Sequence, residues 1–393
     1  MSETSIYLDN NATTQPAPEC VEAMTACLKT HYGNPSSKHR LGEAAKMEAI
    51  AARAKIAALL GASPAEIVFT SGGTESIHQA ILGALALAPD KRRVVTSAVE
   101  HPATLLLLKH LETHGLEVVR LPVDNQGRLD PALLEAALTP DTGLLSLMWA
   151  NNETGVLFPI EEAAALAGSR GVLFHCDAVQ AVGKLPIDLS RVPLDFLSLS
   201  GHKLHGPKGI GALFVRKGRK PPPLLFGHQE RGRRGSTENV PGIVGLGVAA
   251  ELAREYLATG GDGIAQLRDR LESWLLAALP EASVNGAGAP RVPGTSSFKL
   301  GNVEAEPVLD RLDRAGICAS AGAACSAGGT EPSHVLTAMG LGAEGALATI
   351  RFSLSRYTTE AEVDAVCGLL PDIVRSLLAQ GGLSSASAIS EKN

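Results

Sequence analysis

Phe196-Leu197-Ser198-Leu199-Ser200-Gly201-His202-Lys203 carries most of the information about this chain's fold. A short apolar run that breaks into small polar residues reads as a buried strand with a functional group at its carboxyl end. Upstream, Val172 to Cys176 is a second such run, and it ends in Asp177-Ala178-Val179-Gln180. Before it the rhythm is strand then helix: Val94-Val95-Thr96 before Ala103 to His114, Glu117 to Leu121 before Pro131 to Leu138, and Leu144 to Trp149 before Ile160 to Ala167. This alternation predicts an α/β fold with a mostly parallel, helix-covered sheet. Ligands of such sheets lie beyond the carboxyl ends of the strands. Glu100-His101, Asn151-Asn152, Asp177 and Lys203 all fall at that edge.

The residue types at the edge specify a chemistry. A lysine amine can form a Schiff base with an aldehyde, and a carboxylate opposite a pyridine nitrogen keeps that nitrogen protonated. Lys203 and Asp177 therefore fit the two halves of a pyridoxal phosphate site. Ser71-Gly72-Gly73-Thr74 lies between extended Ile67 to Thr70 and a helix beginning near Glu75, so its amides and the helix N-terminus suit a phosphate. It lacks the Gly-Lys-Ser/Thr ending of a Walker loop. Lys208, in a Gly/Pro turn, reads as a solvated surface charge. In Ile350-Arg351-Phe352-Ser353-Leu354, alternation sets Arg351 opposite three apolar side chains, and a guanidinium suits a carboxylate. Cys325 sits among alanines and glycines from Ala321 to Gly329, a setting for an accessible, swinging thiol. Cys318 follows an apolar approach and reads as structural.

Composition narrows the class. The chain has 393 residues, 45% of them hydrophobic, enough to bury a sizeable core. A formal charge of -6 and 4% aromatic residues leave no basic or stacking platform for nucleic acid, and no basic patch for an anionic membrane. The N-terminus has no secretory pattern and no apolar stretch reaches membrane-spanning length, so a cytoplasmic enzyme is expected. Six cysteines without Cys-x-x-Cys spacing argue against a disulfide framework or a zinc ribbon. His175-Cys176-Asp177 alternate across a strand and cannot all hold one ion, so no metal is expected.

After about Glu251 the pattern changes to a long helical segment through Leu279, a strand at Ser296 to Leu300, a helix around Pro307 to Ala315, and a strand at Thr349 to Leu354. The expected organisation is a large cofactor-binding domain over 19–255 and a smaller α+β domain over 256–379. A Gly/Ser-rich tail, expected to be mobile, occupies 380–393.

The ordered set of motifs resembles the cysteine desulfurases of the nitrogen-fixation and iron–sulfur-cluster type, within the class V aminotransferase family of fold type I pyridoxal phosphate enzymes. The resemblance runs from Tyr7-Leu8-Asp9-Asn10-Asn11-Ala12-Thr13-Thr14 through Gly33-Asn34-Pro35-Ser36-Ser37, Thr70 to Ser76, Glu100-His101-Pro102, Asn151 to Gly155 and the lysine motif. It continues through Arg233-Arg234-Gly235-Ser236-Thr237-Glu238-Asn239 and the Cys325 segment to Arg351-Phe352-Ser353, which covers nearly the whole chain.

The resemblance implies that segment 1–18 packs with the small domain. It implies that Thr74, Ser200 and His202 contact the phosphate beside Gly73, with Thr237 reaching it from a partner subunit of an obligate homodimer. It implies that His101 stacks on the cofactor ring and takes part in proton transfers, and that Gln180 bonds the phenolic oxygen. Asn152 and Arg351 would hold the substrate carboxylate, Asn152 also contacting the cofactor. The implied reaction takes L-cysteine to L-alanine with the sulfur retained on Cys325, destined for an iron–sulfur scaffold protein or another acceptor. A selenocysteine lyase or an aminotransferase on the same fold would share Lys203 and Asp177, and a non-catalytic assembly subunit is the reading from another class. Ile77-His78 and Phe226-Gly227-His228 depart from the family's usual residues, and neither stretch is assigned a role.

Overall fold

The computed structural model describes residues 5–260, 262–322 and 331–390. Its centre is a seven-stranded sheet in the order Ile67–Thr70, Gly211–Val215, Phe196–Ser200, Leu173–Asp177, Thr142–Met148, Arg93–Ser97, Glu117–Leu121. The last five run parallel, and Gly211–Val215 is antiparallel to both of its neighbours. The expected strand–helix alternation is realised: Pro102–Glu112, Pro131–Ala137 and Ile160–Ser169 are the connecting helices. The strands Leu173–Asp177 and Phe196–Ser200 are buried at every position, as strands covered on both faces must be.

Local chemistry fixes where the helices start. Pro102 opens its helix at N1, and the His101 ring caps it by accepting from the Ala103 amide at 3.1 Å. Helices Arg40–Leu60 and Val240–Ala258 pack closely because Gly247 has no Cβ; one built there would meet Ala52 Cα at 2.7 Å.

A second sheet, in the order Ser320–Ala321, Thr349–Ser353, Thr295–Leu300, Ala282–Val284, is antiparallel throughout. It shares a separate hydrophobic core with the helices Ala305–Arg314 and Glu360–Ser390, built on Phe298, Val308, Ile350, Phe352 and Val363. Leu8 joins this core, and Ile6–Tyr7 pairs in parallel with Ile317–Cys318. The N-terminal segment then crosses to the large sheet, where the Thr14 amide donates to the His202 carbonyl at 2.8 Å. It thereby ties the two cores together beside Lys203.

Three details differ from the sequence reading. The helix expected to run from about Glu251 to Leu279 is two helices, Val240–Ala258 and Asp262–Ala278, with Gly260 at φ 97° between them. Glycine tolerates that left-handed backbone and ends the first helix. The final helix continues to Ser390, so position 380 does not mark its end. Val335, Leu336, Met339 and Ala346, though late in the chain, pack into the core of the large sheet. No helix among the described residues is long and apolar enough to cross a membrane.

Candidate active site

The carboxyl ends of the parallel strands open onto a cavity of about 340 Å³, within the usual range for small-molecule sites. Gly73, Thr74, His101, Asn152, Asp177, Gln180, Ser200, His202, Lys203 and Arg351 all line it. Residues from both sheets and from widely separated motifs thus meet in one place.

Lys203 ends the short 3-10 turn Gly201–Lys203 that follows the strand Phe196–Ser200. Its Nζ donates to the backbone carbonyls of Asn11 and Ala12, the latter at 2.7 Å. Asp177, at the last position of its strand, is buried and accepts from the Val179 amide at 3.0 Å. Burial raises its pKa to about 6, against the lowering influence of Lys203, so it is ionised at neutral pH. Two residues back on the same face, His175 joins Ser146 Oγ to Ser198 Oγ, each at 2.9 Å. Burial holds that imidazole near a pKa of 3, hence neutral.

His101 is also neutral, lowered to about 4 by burial and by the neighbouring Lys203 and His334. Because its Nδ1 accepts from the Ala103 amide, the ring proton resides on Nε2. Behind it, Glu100 is fully buried, and burial lifts its pKa to about 8. Its Oε1 accepts from Ser97 Oγ at 2.6 Å and from the Met148 amide at 3.0 Å, while Oε2 has no hydrogen-bond partner among the described residues. Glu100 is therefore a neutral acid beneath the site.

One end of the cavity is built for an anion. No side chain caps the helix Gly73–Leu87, so its first-turn amides remain available as donors. Thr74, Ser200 and His202 stand beside them. A Cβ on Gly73 would lie 3.0 Å from Val179 Cγ2, which explains the small residue there. His202 Nδ1 is engaged with Thr13 Oγ1 at 3.0 Å, and burial keeps this ring neutral near pKa 4. An anion cradle, an aminated side chain and a buried carboxylate are the donor set that pyridoxal phosphate requires, and the residues fit that cofactor.

At the other end Arg351 is buried in the second sheet. It pairs with Asp9 Oδ1 at 2.8 Å and donates to the Asn152 carbonyl at 3.0 Å, and its Nε has no hydrogen-bond partner among the described residues. A guanidinium with an uncommitted N–H beside a cavity can take a carboxylate.

Thr237 does not line this cavity in the single chain; it lines another cleft with Ser71, Gly209 and Arg234. Cys325 lies outside the described residues. Lys208 is exposed, as expected. Sequence reading missed Asn11, Ala12, Ile77, Met148, Ala150 and Val179, all lining residues. Asn11 and Ala12 contribute backbone oxygens, which no side-chain chemistry signals, although they lie within a quoted motif. Ile77, noted as a departure from the family's residues, turns one wall apolar. No cluster of metal-ligating side chains occurs among the described residues.

The family model Aminotransferase class-V matches residues 6–366. A cysteine desulfurase of Trichormus azollae is 53% identical over 375 residues, covering 95% of this chain and 94% of the relative. Among solved structures, a NifS-like protein superposes with a TM-score of 0.89 at 37% identity, covering 95% of this chain and 100% of its own. A structure of SspA in complex with cysteine has a TM-score of 0.79 at 36% identity, covering 90% of this chain and 99% of its own.

Proposed function

Because this chain belongs to the class-V aminotransferase family, we propose that it is a pyridoxal phosphate-dependent cysteine desulfurase, converting L-cysteine to L-alanine and keeping the sulfur as a persulfide on Cys325. The observation that carries the proposal is the meeting of Lys203, Asp177 and Arg351 at one cavity, in a chain 53% identical to a cysteine desulfurase.

In this reading each lining residue has a role. Lys203 would anchor the cofactor through Nζ, and the same nitrogen, when free, would accept the substrate's α-proton. Gly73, Thr74, Ser200 and His202 hold the phosphate, and Gln180 holds the phenolic oxygen. Asp177, ionised at neutral pH, opposes the pyridine nitrogen and keeps a proton on it. When bound, pyridoxal phosphate supplies the electron sink that loosens the substrate's bonds next to the amine-bearing carbon. Arg351 and Asn152 fix the substrate carboxylate. His101 lines the cavity where the cofactor ring would sit, and its Nε2 proton would serve transfers within the site. Cys325 attacks the substrate sulfur as a thiolate: an S–S bond forms, the carbon–sulfur bond breaks, and the carbon left behind gains a proton and leaves as alanine.

Thr237 completes the phosphate cradle from the partner subunit of a homodimer. The exposed apolar side chains Leu28 on helix Pro18–Thr30, Met47 and Ile50 on helix Arg40–Leu60, and Tyr32 between the two helices are in keeping with such an association. The persulfide is passed to an iron–sulfur scaffold protein or another sulfur acceptor in the cytoplasm. Product analysis tests the assignment: alanine in step with transferable sulfur is expected, whereas pyruvate with an aminated cofactor would indicate a transaminase.

A further inference from the structure

Lys184, which no step above uses, is mostly buried, and its ammonium donates to two neutral amide oxygens: Asn11 Oδ1 at 2.7 Å and Gln180 Oε1 at 2.6 Å. An ammonium can only donate, so the Gln180 amide has one permitted orientation, with its oxygen toward Lys184 and its nitrogen turned away. That nitrogen donates to the Asn11 carbonyl at 2.9 Å, the same carbonyl that receives Lys203 Nζ. Two lysines therefore approach Asn11, one at its side chain and one at its backbone. They also share the walls of a small void of about 40 Å³.

We propose that Lys184 is a positioning residue for Lys203: through Asn11 and Gln180 it fixes the carbonyl that seats the Lys203 nitrogen, and its charge favours the unprotonated form of that nitrogen. The inference rests on Lys203 being the cofactor's anchor. A second cation nearby disfavours protonation of an amine or of a nitrogen linked to an aldehyde. The other charged or titratable groups facing this pair are Asp177, which opposes the effect, Arg351 and Arg356, which add to it, Tyr256, and His101, His202 and His205, all held neutral near pKa 4 with burial as the leading cause. Burial first, then Lys203 and Arg351, lowers Lys184 itself to about 7, so its charge acts on Lys203 below that pH and fades above it.

The test titrates the visible absorbance of the cofactor-loaded enzyme against pH in the wild type, Lys184→Met and Lys184→Arg. The absorbance midpoint is expected to rise by about one pH unit in Lys184→Met and to change little in Lys184→Arg. Lys184→Gln, which keeps a hydrogen-bonding group without the charge, takes the place of Lys184→Met if that variant does not fold. An unchanged midpoint in the neutral variant, or an equal shift in Lys184→Arg, overturns the proposal. A wild-type protein without cofactor absorbance overturns the Lys203 reading first, and the inference with it.

Discussion

Arg351 and Asp9, 342 positions apart in the chain, form an ion pair with Nη2 2.8 Å from Oδ1, the arginine buried and the aspartate largely so. The pair joins the second sheet to the N-terminal segment and leaves Arg351 Nε without a hydrogen-bond partner among the described residues. Removing one member of a buried pair strands the other, at a typical cost of about 3–5 kcal/mol. Asp9→Ala should therefore lower stability by about 3 kcal/mol in denaturant melts. Arg351→Lys, which loses the planar fork, should raise the KM for L-cysteine by about tenfold or more, because a charge-assisted hydrogen bond contributes about 1.5–3 kcal/mol. An unchanged KM would remove Arg351 from carboxylate binding.

Lys203 offers a second check. Lys203→Ala should fold but form no covalent link to pyridoxal phosphate, so that borohydride treatment leaves no fixed label and turnover is lost. Label fixed in that variant would move the anchor to another amine.

Asp177→Asn keeps the side chain's size but removes the charge facing the pyridine nitrogen. Turnover should fall by about a hundredfold or more while Lys203 still captures the cofactor, since the electron sink rather than the anchor is weakened. Equal loss of capture and turnover would make Asp177 a structural residue only.

Glu100 links burial to pH. Its folded pKa, raised to about 8 by burial, lies above the ordinary carboxyl value of 4.5, so the folded protein holds a proton that the unfolded chain has released between those values. Stability then falls as pH rises through that window, by up to about 1.4 kcal/mol per pH unit. Glu100→Gln retains an oxygen acceptor for Ser97 and Met148 and carries no titrating proton. Melts at several pH values between 5 and 7.5 should show a shallower decline in Glu100→Gln than in the wild type; parallel slopes would contradict a protonated Glu100.

The sheet and the polar face of the site were legible because they rest on strong local signals. Apolar runs ending in Asp177 and Lys203 specify both the strands and the direction of their functional ends, and Arg351 is flanked by buried Ile350 and Phe352. Ala12 and Asn11 were not legible as site residues, since they act through carbonyls whose direction depends on a segment crossing between two sheets. The helix break near Gly260 carried a signal, consecutive glycines after Thr259, that the apolar periodicity on either side outweighed. Thr237 lines a different cleft in the single chain, and the role proposed for it requires a second copy.

The division of labour between Lys203 and Cys325 is tested most directly by peptide mass analysis after a single turnover with L-cysteine in the absence of an acceptor. The account predicts one added sulfur atom on the peptide containing Cys325, removable by a thiol reductant and matched by an equal amount of alanine. The Cys325→Ala enzyme should keep the bound cofactor's colour and gain no sulfur. Undiminished release of alanine with sulfide from that variant, or sulfur found on another cysteine of the wild type, would contradict it.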